Sequence, residues 1–534
     1  MSGPVLQIEN LRVALPGGGD RAFAVQDVSL SIAPGRTLCV VGESGSGKSV
    51  MATAVMGLLP RELQAVAGRI VLQGESLLDA SALRLRQLRG KAMGMVFQEP
   101  MTALNPVMRC GDQVDELLRA HTDWPAAQRQ QEVLRIFERV RLPEPPRMLR
   151  SFPHQLSGGQ RQRIVIAMAM ILKPALLICD EPTTALDVTT QKEILKLIAD
   201  LQAAEDLSSA VLFITHDMGV VAEIADEVLV MHQGRCVEMG AVDAVLRTPQ
   251  ADYTRMLLDA VPSMTPPAPR PEATGPALLA AQALDKTYQS RNWRGQRRDT
   301  HALQQAALAV RAGETLGIVG ESGSGKSTLA RCLIRLIDPS AGSIRWGDAE
   351  VAQLSESRLR PLRDRVQVVF QDPNRSLNPR RTVGESIVEG AMNLGLARAA
   401  AMALAEDLMD KVRLPREGLQ RYPSQFSGGQ RQRIAIARAL ACKPDVLVAD
   451  EAVSALDVSV QAQILTLLRD IRDELGLGVL FITHDLRVAA QLCDRVIVMH
   501  QGRIVEQGTT AALYADPQHD YTRTLLQAAP AGIC

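Results

Sequence analysis

Val41-Gly42-Glu43-Ser44-Gly45-Ser46-Gly47-Lys48-Ser49 decides how the rest of this 534-residue chain is read. It follows a short apolar stretch, Leu38-Cys39-Val40-Val41, and opens onto a helix-compatible run from Val50 to Met56. Strand, glycine loop and helix in that order form a phosphate loop. Glycines let the backbone curl until consecutive N–H groups point at one anion, and the helix adds the positive end of its dipole. In that geometry Lys48 reaches the β and γ phosphates of a nucleotide and the Ser49 hydroxyl binds Mg2+. The same nine residues return unchanged as Val319-Gly320-Glu321-Ser322-Gly323-Ser324-Gly325-Lys326-Ser327, so Lys326 and Ser327 repeat those roles.

The repeat extends along the chain. Ser157-Gly158-Gly159-Gln160 and the four residues after it recur at Ser427-Gly428-Gly429-Gln430 and beyond. Val96-Phe97-Gln98 recurs as Val369-Phe370-Gln371, Ala185-Leu186-Asp187-Val188 as Ala455-Leu456-Asp457-Val458, and Phe213 to Asp217 as Phe481 to Asp485. The offset falls from 278 (Gly42 to Gly320) to 268 (His216 to His484), so loops change length while the motifs keep their order. Length alone suggests three or four domains; the repeat reduces them to two copies of one, at 5–260 and 278–530. Between them, 261–277 is a linker whose prolines (262, 266, 267, 269, 271 and 276) favour an extended, semi-stiff spacer. A basic insertion, 291–298, enters an early loop of the second copy, as a solvated hairpin tip or a contact for a phosphate surface or partner.

Composition excludes several classes. Lys plus Arg equals Asp plus Glu at 59 each, which argues against gripping nucleic acid through bulk positive charge. With 46% hydrophobic and 22% charged residues, wholesale disorder is excluded. No apolar run approaches the roughly 20 residues that span a bilayer, and the start of the chain lacks signal-peptide blocks. A protein that stays where it is made is expected. The eight cysteines (39, 110, 179, 236, 332, 442, 493 and 534) contain no C-x-x-C pair, which fits buried thiols in a reduced compartment.

Ala175 to Glu181 is an apolar strand ending in two carboxylates, Asp180 and Glu181; Val446 to Glu451 repeats it with Asp450 and Glu451. Adjacent strand residues point to opposite faces, so one carboxylate can hold Mg2+ while the other polarises an attacking water. A third strand, Val211 to His216 or Val479 to His484, delivers a histidine that suits a γ-phosphate contact. Strands alternating with helices imply a mainly parallel, helix-flanked α/β sheet with ligands at the carboxyl ends of its strands. All these polar groups sit at such ends.

Leu156-Ser157-Gly158-Gly159-Gln160 and Phe426-Ser427-Gly428-Gly429-Gln430, each upstream of an Asp-Glu pair, resemble the signature of ATP-binding cassette (ABC) ATPases. Each serine reads independently as a helix cap. The resemblance covers nearly the whole chain. It implies two tandem P-loop cassettes, each with an antiparallel subdomain and a helical signature subdomain, closed head to tail so that the phosphate loop of one faces the signature of the other across ATP. Lys48 then pairs with Ser427, and Lys326 with Ser157. Asp180 and Asp450 resemble the magnesium aspartates, Glu181 and Glu451 the catalytic glutamates, and His216 and His484 the switch histidines. Gln98 and Gln371 resemble glutamines that touch Mg2+ or water and transmit closure to a membrane partner. Tyr288 fits the aromatic place over adenine in the second copy. In the first, that place falls at Leu15, with Phe23 as a substitute. Glu181-Pro182 becomes Glu451-Ala452, which loosens the backbone without removing chemistry.

Phe97 to Pro106, Phe370 to Pro379, and the tails Asp252 to Leu258 and Asp520 to Leu526 resemble those of oligopeptide and dipeptide importer ATPases whose two cassettes are fused. The resemblance implies a peripheral ATPase on the cytoplasmic face of the inner membrane. It would bind two integral-membrane permease subunits, work with an extracytoplasmic solute-binding protein, and contact no nucleic acid. The alternative is a soluble tandem ABC ATPase acting on ribosomes, a class that typically has a long, charged helical linker.

Overall fold

The computed structural model describes residues 3–16, 21–98, 103–184, 186–203, 208–271, 273–291, 297–454 and 456–529. In the first half, β1 (Leu6–Ala14), β2 (Phe23–Ile32), β4 (Gln64–Leu72) and β5 (Glu75–Ser76) form an antiparallel sheet of order β2-β1-β4-β5. The second sheet comprises β3 (Thr37–Val41), β6 (Met93–Val96), β7 (Leu176–Asp180), β8 (Ala210–Ile214), β9 (Glu227–His232) and β10 (Arg235–Ala241). Its order is β10-β9-β3-β8-β7-β6, parallel except for the β9–β10 hairpin.

The second half repeats both. β11 (Ala277–Arg291), β12 (Arg297–Arg311), β14 (Ala341–Trp346) and β15 (Ala349–Glu350) form the antiparallel sheet. β13 (Thr315–Val319), β16 (Val366–Val369), β17 (Val446–Asp450), β18 (Gly478–Ile482), β19 (Arg495–His500) and β20 (Arg503–Thr509) form the mainly parallel one. The expected α/β architecture of two tandem units is present, antiparallel and helical subdomains included.

Continuous apolar strands make sense here because both faces of a parallel sheet are covered. Every residue of β3, β7 and β8 is buried, and the two-residue period sorts them. Cys39, Val41, Leu177, Cys179, Val211 and Phe213 face the helical side. Leu38, Val40, Leu176, Ile178, Leu212 and Ile214 face the antiparallel sheet. On the helical side, helices Cys110–His121, Ala126–Arg139 and Gly158–Met170 pack on one another, as do Val383–Asn393, Arg398–Lys411 and Gly428–Leu440 in the second half.

The linker runs along the surface of the second half. Among described residues it has no regular structure between helix Asp252–Asp259 and β11, as its prolines dictate. It is nevertheless fastened to the second half. The Gln491 amide donates to the Ser263 and Thr265 carbonyls at 2.9 and 2.8 Å. Arg270 pairs with Asp473 at 3.0 Å, and Met264 packs against the second core. Its polar backbone finds partners on that surface, so the segment is a strap. Residues 292–296, at the centre of the basic insertion, lie outside the described residues, as do the side chains of its flanks.

Phe213, fully buried in the middle of β8, tests the independence of the two cores. Phe213→Ala is expected to cost about 3–5 kcal/mol in the first half. Calorimetry should then show its transition separating below that of the second half.

Candidate functional site

The loop between β3 and helix Lys48–Val55 curls back on itself. Lys48 Nζ donates to the Gly42 carbonyl at 2.6 Å and the Glu43 carbonyl at 3.0 Å. Lys326 does the same to Gly320 and Glu321 at 2.7 and 2.8 Å. Burial pushes both lysine pKa values down, against the pull of nearby carboxylates. Each ammonium is thus held at the loop, poised for an anion. Ser46 Oγ and Ser324 Oγ are buried without a partner at the loop centre, as a cradle for phosphate requires.

Ser49 Oγ donates to Asp180 Oδ1 at 3.0 Å, which joins the loop to the end of β7. In the second half Asp450 Oδ1 is buried with no partner. Burial raises the pKa of both aspartates. A buried carboxylate beside a serine hydroxyl, as Asp180 and Ser49 are, is an oxygen donor pair that suits a hard divalent cation such as Mg2+.

Glu181 and Glu451 depart from the strand geometry expected of them. Strands β7 and β17 end at Asp180 and Asp450, and both glutamates sit in the left-handed region, at φ 48° and 49°. This turn, uncommon for a side-chain-bearing residue, aims each carboxylate away from the sheet. Glu181 N–H still bonds to the Ile214 carbonyl at 2.9 Å, so the turn is anchored. Glu181 Oε2 accepts from Gln98 Nε2 at 2.9 Å and Thr184 Oγ1 at 3.0 Å, and lies 3.4 Å from His216 Nδ1. Glu451 Oε2 accepts from Gln371 Nε2 at 2.8 Å and lies 3.6 Å from His484 Nδ1. The structure therefore brings glutamine, glutamate and histidine together in both halves. Burial would raise the glutamate pKa, yet the histidine contact and the lysine bring Glu181 down to about 2 and Glu451 below its usual value. Burial would lower the histidine pKa, but the glutamate outweighs it and both histidines are raised.

Ser157 and Ser427 cap helices Gly158–Met170 and Gly428–Leu440. Each hydroxyl accepts from the glutamine N–H three residues on at 3.3 Å, and that glutamine's side chain accepts from the serine N–H at 3.0 Å. The N–H groups of the following glycines stay free for an anion. A side chain at Gly159 or Gly429 would collide with Thr190 or Val460, which explains the glycine there.

The two halves meet head to tail around these groups. Ser322 N–H, in the second phosphate loop, donates to Asp187 Oδ2 at 3.4 Å, and Asp187 caps helix Val188–Gln202 of the first half. Reciprocally, Asp457 accepts from Ser44 N–H, and Ser459 Oγ bonds to Glu43. Gly158 and Gly428 of the capped helices lie against Leu186 and Leu456, one residue before those aspartates.

Sequence reading recorded Ala185 to Val188 and Ala455 to Val458 as repeats and assigned them no contact. It likewise missed Tyr253 and Tyr521 in the tails. Each hydroxyl accepts from a loop N–H, Glu43 at 3.3 Å and Glu321 at 3.1 Å, and each ring packs on a histidine with centroids 4.0 Å apart. Their recurrence within matching tails was the available signal. Tyr288 is 40% exposed, with the Lys286 ammonium 5.1 Å from its ring centroid. Leu15 holds the equivalent place in the first half, bonded to Ala22 as Tyr288 pairs with Thr300, while Phe23 occupies the place of His301. Arg21 of the first half donates to the Gly45 carbonyl of the loop.

Two complete phosphate-loop constellations, each abutting the opposite half, define a paired nucleotide-hydrolysing engine. A family model described as ABC transporter matches residues 25–184 and 303–454, and one described as the oligopeptide/dipeptide transporter C-terminal region matches 237–296 and 505–532. The chain is 45% identical over 562 aligned positions to the glutathione import ATP-binding protein GsiA of Shigella sonnei, covering 99% of this chain and 90% of that protein. The GsiA protein of Escherichia coli K12 matches at the same identity and coverage. The chain belongs to the ABC transporter family of ATP-binding proteins. It is an ATPase that energises import and works with a membrane permease; the ribosomal alternative is not favoured. Among described residues no helix is long and apolar enough to cross a membrane.

The Glu181–His216 contact predicts a pH signature. A raised histidine pKa adds stability that is fully present below about 6.5 and lost as pH rises through the folded value. Glu181→Gln removes the largest of the groups that raise it and leaves burial opposed only by Asp217 and Asp457, so the His216 pKa should fall. Histidine NMR titration of both proteins checks this.

Proposed function

We propose that the chain drives uptake of small peptides or peptide-like solutes, glutathione among them, through two separate permease subunits, with an extracytoplasmic solute-binding protein delivering cargo. It sits on the cytoplasmic face of the inner membrane without spanning it and contacts no nucleic acid. One ATPase domain occupies 5–260, a second 278–530, with 261–277 joining them. The observation that carries this reading is the reciprocal contact of each phosphate loop with the opposing helix cap, Asp187 at Ser322 and Asp457 at Ser44. The glutathione importers to which the chain is similar support the cargo class.

In each site the loop from Gly42 or Gly320 wraps the phosphates and Lys48 or Lys326 neutralises the β and γ charges. Ser49, Gln98 and Asp180, or Ser327, Gln371 and Asp450, would hold Mg2+, which would supply neutralisation of phosphate charge. Glu181 or Glu451, ionised at neutral pH, orients and polarises the attacking water. His216 or His484 contacts the γ phosphate, and its bond to the glutamate fixes the orientation of both. The cap N–H groups around Ser427 to Gln430 complete the site of Lys48, and those around Ser157 to Gln160 complete the site of Lys326. Tyr288 stacks on adenine in the second site. ATP closes the sandwich, the permease reorients, and hydrolysis resets it; reopening rather than chemistry can set the rate.

Glu181→Gln and Glu451→Gln, made singly, should each lower steady-state ATPase by roughly a hundredfold at the altered site, the lower end of what a positioned general base contributes. An unchanged rate in either protein removes that site from the account. Uptake of labelled glutathione and of dipeptides by cells carrying the matching permease tests the cargo class, and membrane-fraction association should vanish without the permease.

A further inference from the structure

Directly after the two switch histidines the halves are not alike. His216-Asp217-Met218-Gly219 in the first becomes His484-Asp485-Leu486-Arg487 in the second. Both aspartates cap the helices they precede, accepting from the N–H of Gly219 and of Arg487 at 2.9 Å. By position Gly219 and Arg487 correspond, and only one of them carries a side chain.

That side chain crosses the joint. Arg487 Nη1 and Nη2 donate to the two carboxylate oxygens of Asp217 at 3.0 and 3.1 Å, a bidentate pair between halves. Nε and Nη2 donate to Asp485 at 3.2 and 3.1 Å. The Gln191 amide also donates to Asp217, at 3.4 Å. The Arg487 side chain is only 11% exposed, in a cavity between the halves that His216 and His484 also line. Two partly buried carboxylates therefore face each other across the joint, with one guanidinium between them. Without it they repel in a poorly screened setting; with it they attract a common partner.

We propose that Arg487 is a positioning residue for hydrolysis: an electrostatic latch, placed off the symmetry of the repeat, that closes the two cassettes and ties the histidine of one ATP site to that of the other. Asp217 and Asp485 are the residues next to His216 and His484, so the latch restrains both at once. This inference rests on the reading of these histidines as γ-phosphate contacts within one closed sandwich.

The test uses the full chain carrying E181Q and E451Q, titrated with MgATP, with closure read as hydrogen-exchange protection of helices Met218–Ile224 and Leu486–Leu492. R487A should need about thirtyfold more MgATP for half-protection, the low end of what losing one partner of a buried charge pair costs, and should lose cooperativity between the sites. R487K should fall between. The swap G219R/R487G, which moves the cation to the other side of the joint, should restore closure to within about twofold of the parent, whereas G219R alone should weaken it. A titration of R487A that overlays the parent overturns the latch. So does a folded swap protein, checked by thermal unfolding, that closes no better than R487A. If R487A fails to fold, R487K and the swap decide by the same criteria. A parent chain with no ATP-dependent protection overturns the closed-sandwich reading itself, and the latch with it.

Discussion

The approach of Gly42 to the Met231 carbonyl, repeated by Gly320 at Met499, is the constraint on which each cassette depends. At φ 144° and 149° these glycines lie where a side chain would collide with the neighbouring strand end, so the loop can turn tightly only there. That turn points the loop N–H groups inward and brings the Gly42 carbonyl to Lys48. β9 supplies the wall, and the chain leaving it through β10 returns Tyr253 to bond Glu43 N–H. Three segments far apart in sequence thus hold one loop, and an anion-binding surface is built before any nucleotide arrives.

What such a loop lacks is a second wall. Each cassette ends its catalytic strands at one edge, leaving phosphate on the open side facing solvent. The opposite half reaches each loop through the residue that opens a long helix, Asp187 at Ser322 and Asp457 at Ser44, and Gly159 and Gly429 of the neighbouring capped helices are glycine because helices Val188–Gln202 and Val458–Leu475 press too close for a side chain. Completing one site therefore requires completing the joint, and the joint is shared with the other site. Coupling between the sites follows from geometry, without a pathway of intermediates.

The parts legible in sequence were those whose chemistry is local. The phosphate loop, the Asp-Glu strand ends, the strand-to-histidine segments and the capped helices are each a run of residues whose spacing carries its own physics, and repetition removed chance as an explanation. The α/β class followed from continuous apolar strands. What stayed illegible joins distant residues: Asp187 to Ser322, Tyr253 to Glu43 and Arg487 to Asp217 have no local pattern that names the partner. The left-handed turn at Glu181 was hidden for another reason. A strand pattern fixes the direction of residues within the strand, and Glu181 is the first one beyond it. Proline content predicts the extended linker and says nothing of what the extended backbone bonds to.

The repeat also shows where evolution left the halves free to differ. Loop, carboxylates, glutamines and histidines match. The differences fall on contacts around them: Leu15 where the second half has Tyr288, a Ser49–Asp180 bond where Asp450 Oδ1 is unpartnered, and Gly219 where the second half has Arg487. A homodimer of either cassette would place two glycines or two arginines at the joint, leaving facing carboxylates unneutralised or overfilling the space between them. One arginine between two aspartates is a solution open only to a pair of unlike cassettes. Fusion in a single chain delivers that pairing every time, and the strap 261–276, bonded to Gln491 and Asp473, starts it from the second cassette's own surface.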